Sequence, residues 1–273
     1  MNKEQYFEKV KSYKFLANKS LGQNFLVNPD VCENIINLLD LNDKNNVLEI
    51  GAGFGSLSVF LADKPCTSTL IDVDERALNF LSKEYEKCEN IRVLRQNILK
   101  MDISSFDKIV GNLPYYITSE IIEYLLLNGV NAKKFVLMTQ KEVYPKLTNK
   151  NDVSPLSLLL NYVSDISLPT GVSRNNFVPV PHVDSVVFTL TPNDKIKNPD
   201  NKMLFRLTKN IFLHRRKTIL NCLTSVIGDK EKSQEILKEL NVSELKRPEQ
   251  LDINFYINLL NLLKSNDFTS KIR

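Results

Sequence analysis

The sequence has few of the residues on which several classes of protein depend. Its 273 residues include no tryptophan, two histidines and four cysteines that lie far apart and form no Cys-x-x-Cys pair. This pattern provides neither a disulfide framework nor the clustered ligands of a zinc site, and we expect no bound metal. The histidines, His182 beside a proline and His214 in a basic segment, do not suggest a histidine-based hydrolase.

Long apolar runs are also missing. No stretch approaches the ~18 apolar residues that a membrane span needs, and Met1–Lys19 is charged throughout, with no apolar signal core. Hydrophobic residues nevertheless make up 42% of the chain and charged residues 25%, a balance typical of globular proteins. We therefore expect a cytoplasmic, monomeric protein without a membrane partner.

Positive charge gathers at the two ends of the chain. The net charge is only +4, but residues 193–273 hold sixteen lysines and arginines against ten acidic residues, and residues 1–19 hold five lysines against two glutamates. Such an uneven distribution favours a polyanionic partner such as RNA, although a solvated lysine-rich surface would give the same counts. We expect a basic N-terminal tail over residues 1–19.

Strand-like and helix-like segments alternate through the middle of the chain. Asn28, followed by Pro29, predicts the start of a helix. Strands separated by helix-length segments predict right-handed crossovers and an α/β, Rossmann-like sheet over residues 20–192. Beyond a linker that ends at Pro199, helical periodicity alone remains, which predicts a small all-helical domain over residues 193–273. The predicted strands are Val47–Ile50, Thr69–Asp72, Ile91–Leu94, Lys108–Val110, Lys134–Met138 and Ser185–Leu190.

Three glycines, Gly51, Gly53 and Gly55, follow the first predicted strand and open a helix. Without side chains, the backbone can turn sharply and a cofactor can lie against it. The third glycine comes one residue too early for a dinucleotide loop, which favours S-adenosylmethionine, a cofactor without a pyrophosphate. Asp72 ends the second strand, where it is placed to accept the two ribose hydroxyls. A tight turn with a surface aspartate is the alternative interpretation.

The segment Asn112-Leu113-Pro114-Tyr115 follows the fourth strand and faces the same crevice. An exocyclic adenine amine is a poor nucleophile because its lone pair is delocalised into the ring. The Asn112 side-chain oxygen and the Leu113 carbonyl would accept its two hydrogens and favour pyramidal geometry without a strong base. Pro114 stiffens the turn, and Tyr115 with Phe177 would stack on the two faces of an extruded base. A β-turn with a partly buried tyrosine and a core phenylalanine are the alternatives.

Several of these segments together resemble the ribosomal RNA adenine N6-dimethyltransferases, and in particular their small-subunit, KsgA-like branch. The resemblance covers the chain from Ser20 onward and implies a class I methyltransferase. It implies that S-adenosylmethionine is used to dimethylate two adjacent adenosines in a hairpin near the 3′ end of 16S rRNA, within the immature 30S particle. The segments that carry it are Leu21–Leu26, Glu49–Gly55, Gly111–Tyr116, Gln140–Val143 and Phe177–Ser185.

The resemblance also implies roles for single residues. Two residues depart from the family pattern. Asn97 stands where an aspartate usually accepts the adenine amine of the cofactor, so the affinity for the cofactor is expected to be lower. Asp72 replaces the more usual glutamate and is one methylene shorter. Residues implied to contact the cofactor are Gln23, Asn24, Leu26, Gly51, Gly53, Asp72, Asn97 and Asn112. Those implied in catalysis are Asn112, Leu113, Pro114, Tyr115 and Phe177, and those implied in RNA binding are Arg215, Arg216 and Lys217, in a basic helix of the C-terminal domain.

Two other functions stay open at this point. An Erm-type methylase would modify large-subunit rRNA, although leucine at position 113 and the basic segment around Arg216 favour the small-subunit branch. A non-catalytic ribosome-assembly factor would keep the fold as an RNA-binding platform, although the intact glycine loop and the segment from Asn112 to Tyr115 argue against a loss of catalysis.

Overall fold

The computed structural model describes residues 3–12, 23–149 and 153–272 of the chain. Its contacts group the chain into two compact units, one of Met1–Tyr144 with Ser164–Asn193 and one of Pro145–Val163 with Asp194–Arg273. The boundary predicted at residue 193 assigns residues 145–163 to the sheet domain. In the structure they belong to the helical unit because apolar side chains such as Leu158 and Tyr162 pack against its core.

The first unit is built on a mixed sheet with the strand order β4-β3-β2-β5-β6-β10-β7, and β8 also pairs with β10. The pairs among β4, β3, β2, β5 and β6 are parallel, whereas β10 is antiparallel to its neighbours. The Rossmann-like α/β fold predicted from the sequence is confirmed. The described residues form ten strands: β1 (Phe25–Leu26), β2 (Asn46–Ile50), β3 (Thr67–Asp72), β4 (Ile91–Arg95), β5 (Lys108–Asn112), β6 (Lys134–Gln140), β7 (Ser164–Ile166), β8 (Thr170–Val172), β9 (Phe177–Val178) and β10 (Ser185–Pro192).

Helices connect these strands and cover the sheet. Asn28 caps the second helix, since its side-chain oxygen accepts hydrogen bonds from the backbone N–H groups of Asp30 and Val31, and Pro29 follows at the first helical position. This confirms the predicted helix start. The helices associated with the sheet are α1 (Lys3–Ser12), α2 (Pro29–Asn37), α3 (Ser58–Leu61), α4 (Glu75–Glu84) and α5 (Thr118–Asn128). Helix α6 (Val143–Thr148) begins in the first unit and ends in the second.

Helix α1 occupies part of the segment predicted to be a basic tail, and this part of the prediction is wrong. One face of α1 places Tyr6, Phe7 and Val10 in the core of the first unit, and the Tyr6 hydroxyl donates a 2.6 Å hydrogen bond to the Phe54 carbonyl of the glycine loop. The apolar residues of α1 recur at helical spacing, but the lysines between them favoured the prediction of a solvated tail. Residues 13–22 lie outside the described residues.

Three lysines at the N-terminus lie in ion pairs within the protein. Lys3 pairs with Asp63 and Lys9 with Glu84, and Lys11 pairs with a glutamate on its own helix. Lys3 and Lys9 also lie over aromatic rings of the first unit. Lys3 and Lys9 hold α1 against the rest of the first unit through ion pairs at the surface, each of which contributes little stability by itself.

The second unit is helical, as predicted for the C-terminal domain. Its helices are α7 (Pro155–Val163), α8 (Asn201–Phe212), α9 (Ile219–Ile227), α10 (Lys230–Glu239) and α11 (Ile253–Ser265), which share one apolar core. The basic segment of residues 213–217 is a turn between α8 and α9, not the basic helix expected from the resemblance. Thr218 breaks the helix there because it adopts an extended conformation and caps α9. Within the described part of the chain, no helix is long and apolar enough to cross a membrane.

The packing of α1 gives a first testable prediction. Substitution Tyr6→Phe keeps the ring and removes the hydroxyl, which leaves the Phe54 carbonyl without this donor, so we expect a loss of about 1–3 kcal/mol in the free energy of unfolding. Urea denaturation measures this loss. Lys11→Ala on the exposed side of α1 is the matched control, expected to change the free energy by less than about 0.5 kcal/mol. An unchanged stability of Tyr6→Phe would mean that α1 is not part of the folded unit.

Candidate functional site

The carboxyl ends of three neighbouring parallel strands, β2, β3 and β5, form one edge of a cavity. Glu49 on β2 is in register with Leu70 on β3 and Val110 on β5, so Asp72 and Asn112, each two residues further on, leave the same face of the sheet as Glu49. The structure brings together most residues predicted to contact the cofactor or the base. The predicted residues that line the cavity are Gln23, Asn24, Leu26, Gly51, Gly53, Asp72, Asn97, Asn112, Leu113, Pro114 and Tyr115.

The glycine loop turns as its sequence predicts. Gly51, Gly53 and Gly55 all have positive φ, at 65°, 53° and 82°, a region in which other residues are strained. A side chain at Gly55 would collide with the Tyr6 hydroxyl of α1. The loop therefore requires glycine at Gly55 for two reasons, the backbone conformation and the close approach of α1.

Asp72 organises the glycine loop as well as lining the cavity. Its Oδ2 accepts a 2.8 Å hydrogen bond from the Gly53 N–H, and its Oδ1 accepts from the N–H groups of Val73 and Asp74 at 2.7 and 2.9 Å. The carboxyl is only 9% exposed, and burial raises its pKa, against the effect of the three backbone donors. A carboxylate offers about four lone-pair sites, so one acceptor position remains on Oδ2 for a ligand hydroxyl.

Asp74 and Arg76, which were not predicted from the sequence, hold the loop after β3 in place. Arg76 donates from Nε and Nη2 to the Asp74 carboxylate at 3.0 and 2.6 Å, and Gln23 donates from Nε2 to the same group at 2.9 Å. The Arg76 hydrogen bonds are the main reason why the pKa of Asp74 falls to about 2. Asp74 thus stays ionised at neutral pH and ties the N-terminal motif to the loop after β3. In the sequence, an aspartate at a helix start, two residues before an arginine, could have indicated this ion pair.

The loop after β5 is held from both sides. The Asn112 side-chain amide donates from Nδ2 to the Asn24 carbonyl at 3.1 Å, which fixes the orientation of the amide. The Leu113 N–H donates to the Met138 carbonyl at 2.9 Å, and the Leu113 side chain is buried. Pro114 sits at its usual φ of −63° before a short 3-10 turn. The backbone at Asn112 and Leu113 is therefore fixed by the sheet and by the N-terminal motif.

Two aromatic residues follow this loop in the cavity. The Tyr115 hydroxyl forms a 3.0 Å hydrogen bond with the Ser185 hydroxyl, and partial burial raises the pKa of Tyr115, so the phenol is neutral. Tyr116 also lines the cavity and is 57% exposed. The structure does not bring Phe177 to this site: it is fully buried in the core, where β9 pairs it with Leu26 of β1.

Asn97 and Glu49 complete the polar lining. Asn97 caps the turn after β4, since its Oδ1 accepts a hydrogen bond from the Leu99 N–H at 2.9 Å. Glu49, for which no separate role was predicted, is 2% exposed and accepts a 2.7 Å hydrogen bond from the Ser58 hydroxyl. Burial raises the pKa of Glu49 to about 8. Within residues 3–12, 23–149 and 153–272, no group of three or more metal-binding side chains comes together.

The residues predicted to bind RNA lie in the helical unit, whereas the cavity belongs to the first unit. Arg215, Arg216 and Lys217 are exposed in the turn between α8 and α9, together with Leu213 and His214. An exposed turn with three adjacent cations is a suitable site for a phosphate backbone.

Several known proteins of one family are similar to this chain. A family model described as "Ribosomal RNA adenine dimethylase" matches residues 14–264. The chain is 34% identical to the ribosomal RNA small subunit methyltransferase A of Streptococcus gordonii, covering 92% of this chain and 93% of that protein. It is 35% identical to the protein of the same name from Mycoplasma mycoides subsp. mycoides, covering 92% and 99%.

Solved structures show the same fold. A dimethyladenosine transferase from Plasmodium falciparum is 27% identical and superposes with a TM-score of 0.75, covering 88% of this chain and 97% of that one. The 23S rRNA methyltransferase ErmE is 23% identical with a TM-score of 0.64, covering 88% and 100%, a similarity that extends to the fold alone.

The contacts of Asp72 give a second prediction. In Asp72→Asn one acceptor oxygen becomes an NH₂ donor that faces a backbone N–H, so we expect a loss of about 1–3 kcal/mol in the free energy of unfolding, measured in urea. Asp102→Asn is the matched control, because Asp102 also accepts from a backbone N–H, that of Ser104, but is exposed. An equal effect of the two substitutions would contradict the role of Asp72 in holding the glycine loop.

Proposed function

The chain belongs to the ribosomal RNA adenine dimethylase family, and we propose that it transfers two methyl groups to the N6 amine of each of two adjacent adenosines. The proposed substrate is the hairpin near the 3′ end of small-subunit (16S) rRNA in the immature 30S particle. Support for the small subunit comes from the names of the curated relatives, which act on that subunit.

The observation that carries this proposal is the orientation of the Asn112 amide. Because Nδ2 donates to the Asn24 carbonyl, Oδ1 is the end of the amide available to another partner. Asn112 lines the cavity beside Leu113, whose backbone is fixed by its hydrogen bond to β6. An acceptor oxygen at this position suits an amine and provides no base strong enough for deprotonation.

The residues present fit S-adenosylmethionine. The positive φ values of Gly51 and Gly53 let the backbone form a cradle without side chains, and Asp72 keeps an acceptor position for a ribose hydroxyl. Gln23 and Asn97 provide further polar groups at the cavity. When bound, the cofactor supplies a methyl group on a positively charged sulfur. Asn97 replaces the carboxylate that the family pattern would place here, and its Oδ1 already accepts from Leu99, so we assign it a weaker contact with the cofactor.

In the proposed reaction the chain positions and polarises the amine. Asn112 Oδ1 and the Leu113 carbonyl accept its two hydrogens, which favours a pyramidal nitrogen with its lone pair available. The lone pair would then accept the methyl group that the bound cofactor would supply, and the methylated amine would give up one proton to water. After the first transfer, one hydrogen remains for one of the two acceptors.

The target base must leave its stack to reach the cavity. Tyr115 offers a neutral ring, held by the Ser185 hydroxyl, for one face of the base. Phe177, predicted for the other face, reaches a base only after leaving the core in which it is fully buried. Tyr116 is exposed at the cavity and needs no such movement.

We assign the RNA backbone to the helical unit, residues 145–163 and 194–273. Its turn between α8 and α9 exposes Arg215, Arg216 and Lys217. Residues 193–273 hold sixteen lysines and arginines against ten acidic residues, and this excess of positive charge favours phosphate contacts by the helical unit.

The substrate and the activity are tested by a third prediction. Purified protein should methylate immature small subunits, whereas activity restricted to protein-free large-subunit rRNA would indicate the Erm-type function. In this assay Asn112→Ala should lose at least about 100-fold in rate, the scale of removing one polarising group, and should retain cofactor binding in calorimetry. A wild-type rate in Asn112→Ala would refute the assigned role. If wild type binds no cofactor at millimolar concentration, the protein is a non-catalytic assembly factor.

A fourth prediction concerns the RNA-binding turn. The double substitution Arg215→Ala/Arg216→Ala should weaken binding to small-subunit rRNA and lower the slope of log affinity against log salt by roughly one for each phosphate that the protein no longer neutralises. Filter binding between low and physiological salt measures the slope. Lys230→Ala/Lys238→Ala, two exposed lysines of α10, is the control of equal charge. Equal slopes for the two double variants would place the RNA-binding surface elsewhere.

A further inference from the structure

The cavity is acidic. Glu49 and Asp72 both line it, and the described residues around it include no lysine, arginine or histidine. The register of β2 with β3 and β5 directs Glu49 to the same sheet face as Asp72 and Asn112. Two acidic side chains therefore lie beside the residue to which we assign the reacting amine.

Glu49 is surrounded by groups that cannot neutralise it. Its Oε2 accepts the hydrogen bond from Ser58, which is itself fully buried. Arg76, near this edge, is bound to Asp74. Among the described residues, the titratable groups that interact with Glu49 are all acids: Tyr6 of α1, Cys32 of α2, Asp72 of β3 and Tyr85, which follows α4.

The charge state of Glu49 follows from this environment. Burial raises its pKa to about 8, and the charge of Asp72 adds to this rise while the Ser58 hydrogen bond opposes it. Without a cation beside it, Glu49 is thus largely protonated at neutral pH. A cation placed in the cavity would lower this pKa and favour the carboxylate, because opposite charges attract more strongly where water is excluded.

The charge of the cofactor differs before and after methyl transfer. S-adenosylmethionine carries a positive sulfonium, whereas S-adenosylhomocysteine, which remains after transfer, has a neutral thioether and is otherwise the same molecule. We infer that Glu49 is a specificity-determining residue, which ionises when the sulfonium binds and thereby makes the cavity prefer the charged cofactor over its spent form. This inference rests on the proposed function and concerns the same cavity.

The consequence is an exchange of cofactor driven by charge. Each transfer removes the positive charge from the cavity while Glu49 and Asp72 remain, so the carboxylate takes a proton from solvent and the spent cofactor loses its electrostatic attraction. Dimethylation of adjacent adenosines requires such an exchange before every following transfer. A cavity that bound both forms equally would be occupied by spent cofactor more of the time.

Calorimetry with both ligands on the wild-type protein tests the inference. Between pH 6 and 8, S-adenosylmethionine should bind up to about tenfold more tightly for each pH unit and release up to one proton, the limits of a one-proton linkage. Titration in two buffers with different ionisation enthalpies measures this proton. The α-ammonium group of each ligand stays largely protonated below about pH 7, so between pH 6 and 7 the ratio of their dissociation constants isolates the contribution of the sulfonium. This ratio should widen as pH rises.

The substitution Glu49→Gln provides the second arm. Glutamine has the size of the protonated acid, so the variant should fold, and thermal denaturation checks this. The variant should bind S-adenosylhomocysteine as wild type does. Its ratio of the two dissociation constants should no longer depend on pH. An equal pH dependence for both ligands in wild type would overturn the inference and place Glu49 at the amino-acid end of the cofactor. Failure of wild type to bind either ligand would instead contradict the proposed function. The wild-type measurement decides the question even if the variant does not fold.

Discussion

The hydrogen bond from the Asn112 amide to the Asn24 carbonyl joins two parts of the site that are 88 residues apart in the chain. Through it the N-terminal motif determines which end of the Asn112 amide is available for a substrate. The same motif is bound on its other side, where Gln23 donates to Asp74. A short segment that spans the cavity therefore couples the groups assigned to the cofactor with those assigned to the amine. Neither set would keep its geometry if this segment moved away.

The parallel strands provide the frame for this arrangement. Because β2, β3 and β5 end at one edge, Glu49, Asp72 and Asn112 leave the same face without any long loop to position them. Asp72 then holds the glycine loop against β3 with its carboxylate, while still lining the cavity. One side chain thus serves both the fold and the ligand site, and this explains why its removal cannot be interpreted as the loss of a ligand interaction alone.

The sequence was sufficient for the parts of the molecule with strong periodicity. The six predicted strands, the helix capped by Asn28 and the convergence of the glycine loop with Asn112 followed from apolar runs and turn residues. The short strands Phe25–Leu26 and Thr170–Val172 could not be predicted, because two or three residues show no alternation. Helix α1 was not predicted, because its lysines suggested a solvated tail. The burial of Phe177 depends on its pairing with Leu26, a contact between distant residues that no local pattern reports.

The distribution of charge has a physical reason once both ligands are considered together. An RNA partner requires exposed cations, whereas a cofactor with a positive sulfur requires a cavity free of them, and charges of opposite sign attract across several ångströms where water is excluded. Among the described residues, the protein has its exposed cations and its cation-free cavity in different parts of the chain. Its three adjacent cations lie in the turn after α8, in the helical unit. The inner side of α1, which supports the glycine loop, is formed by Tyr6, Phe7 and Val10, and Lys3 and Lys9 are bound to Asp63 and Glu84. A free lysine on the inner side would stabilise the carboxylate of Glu49 permanently and remove any response of that group to the charge of the ligand.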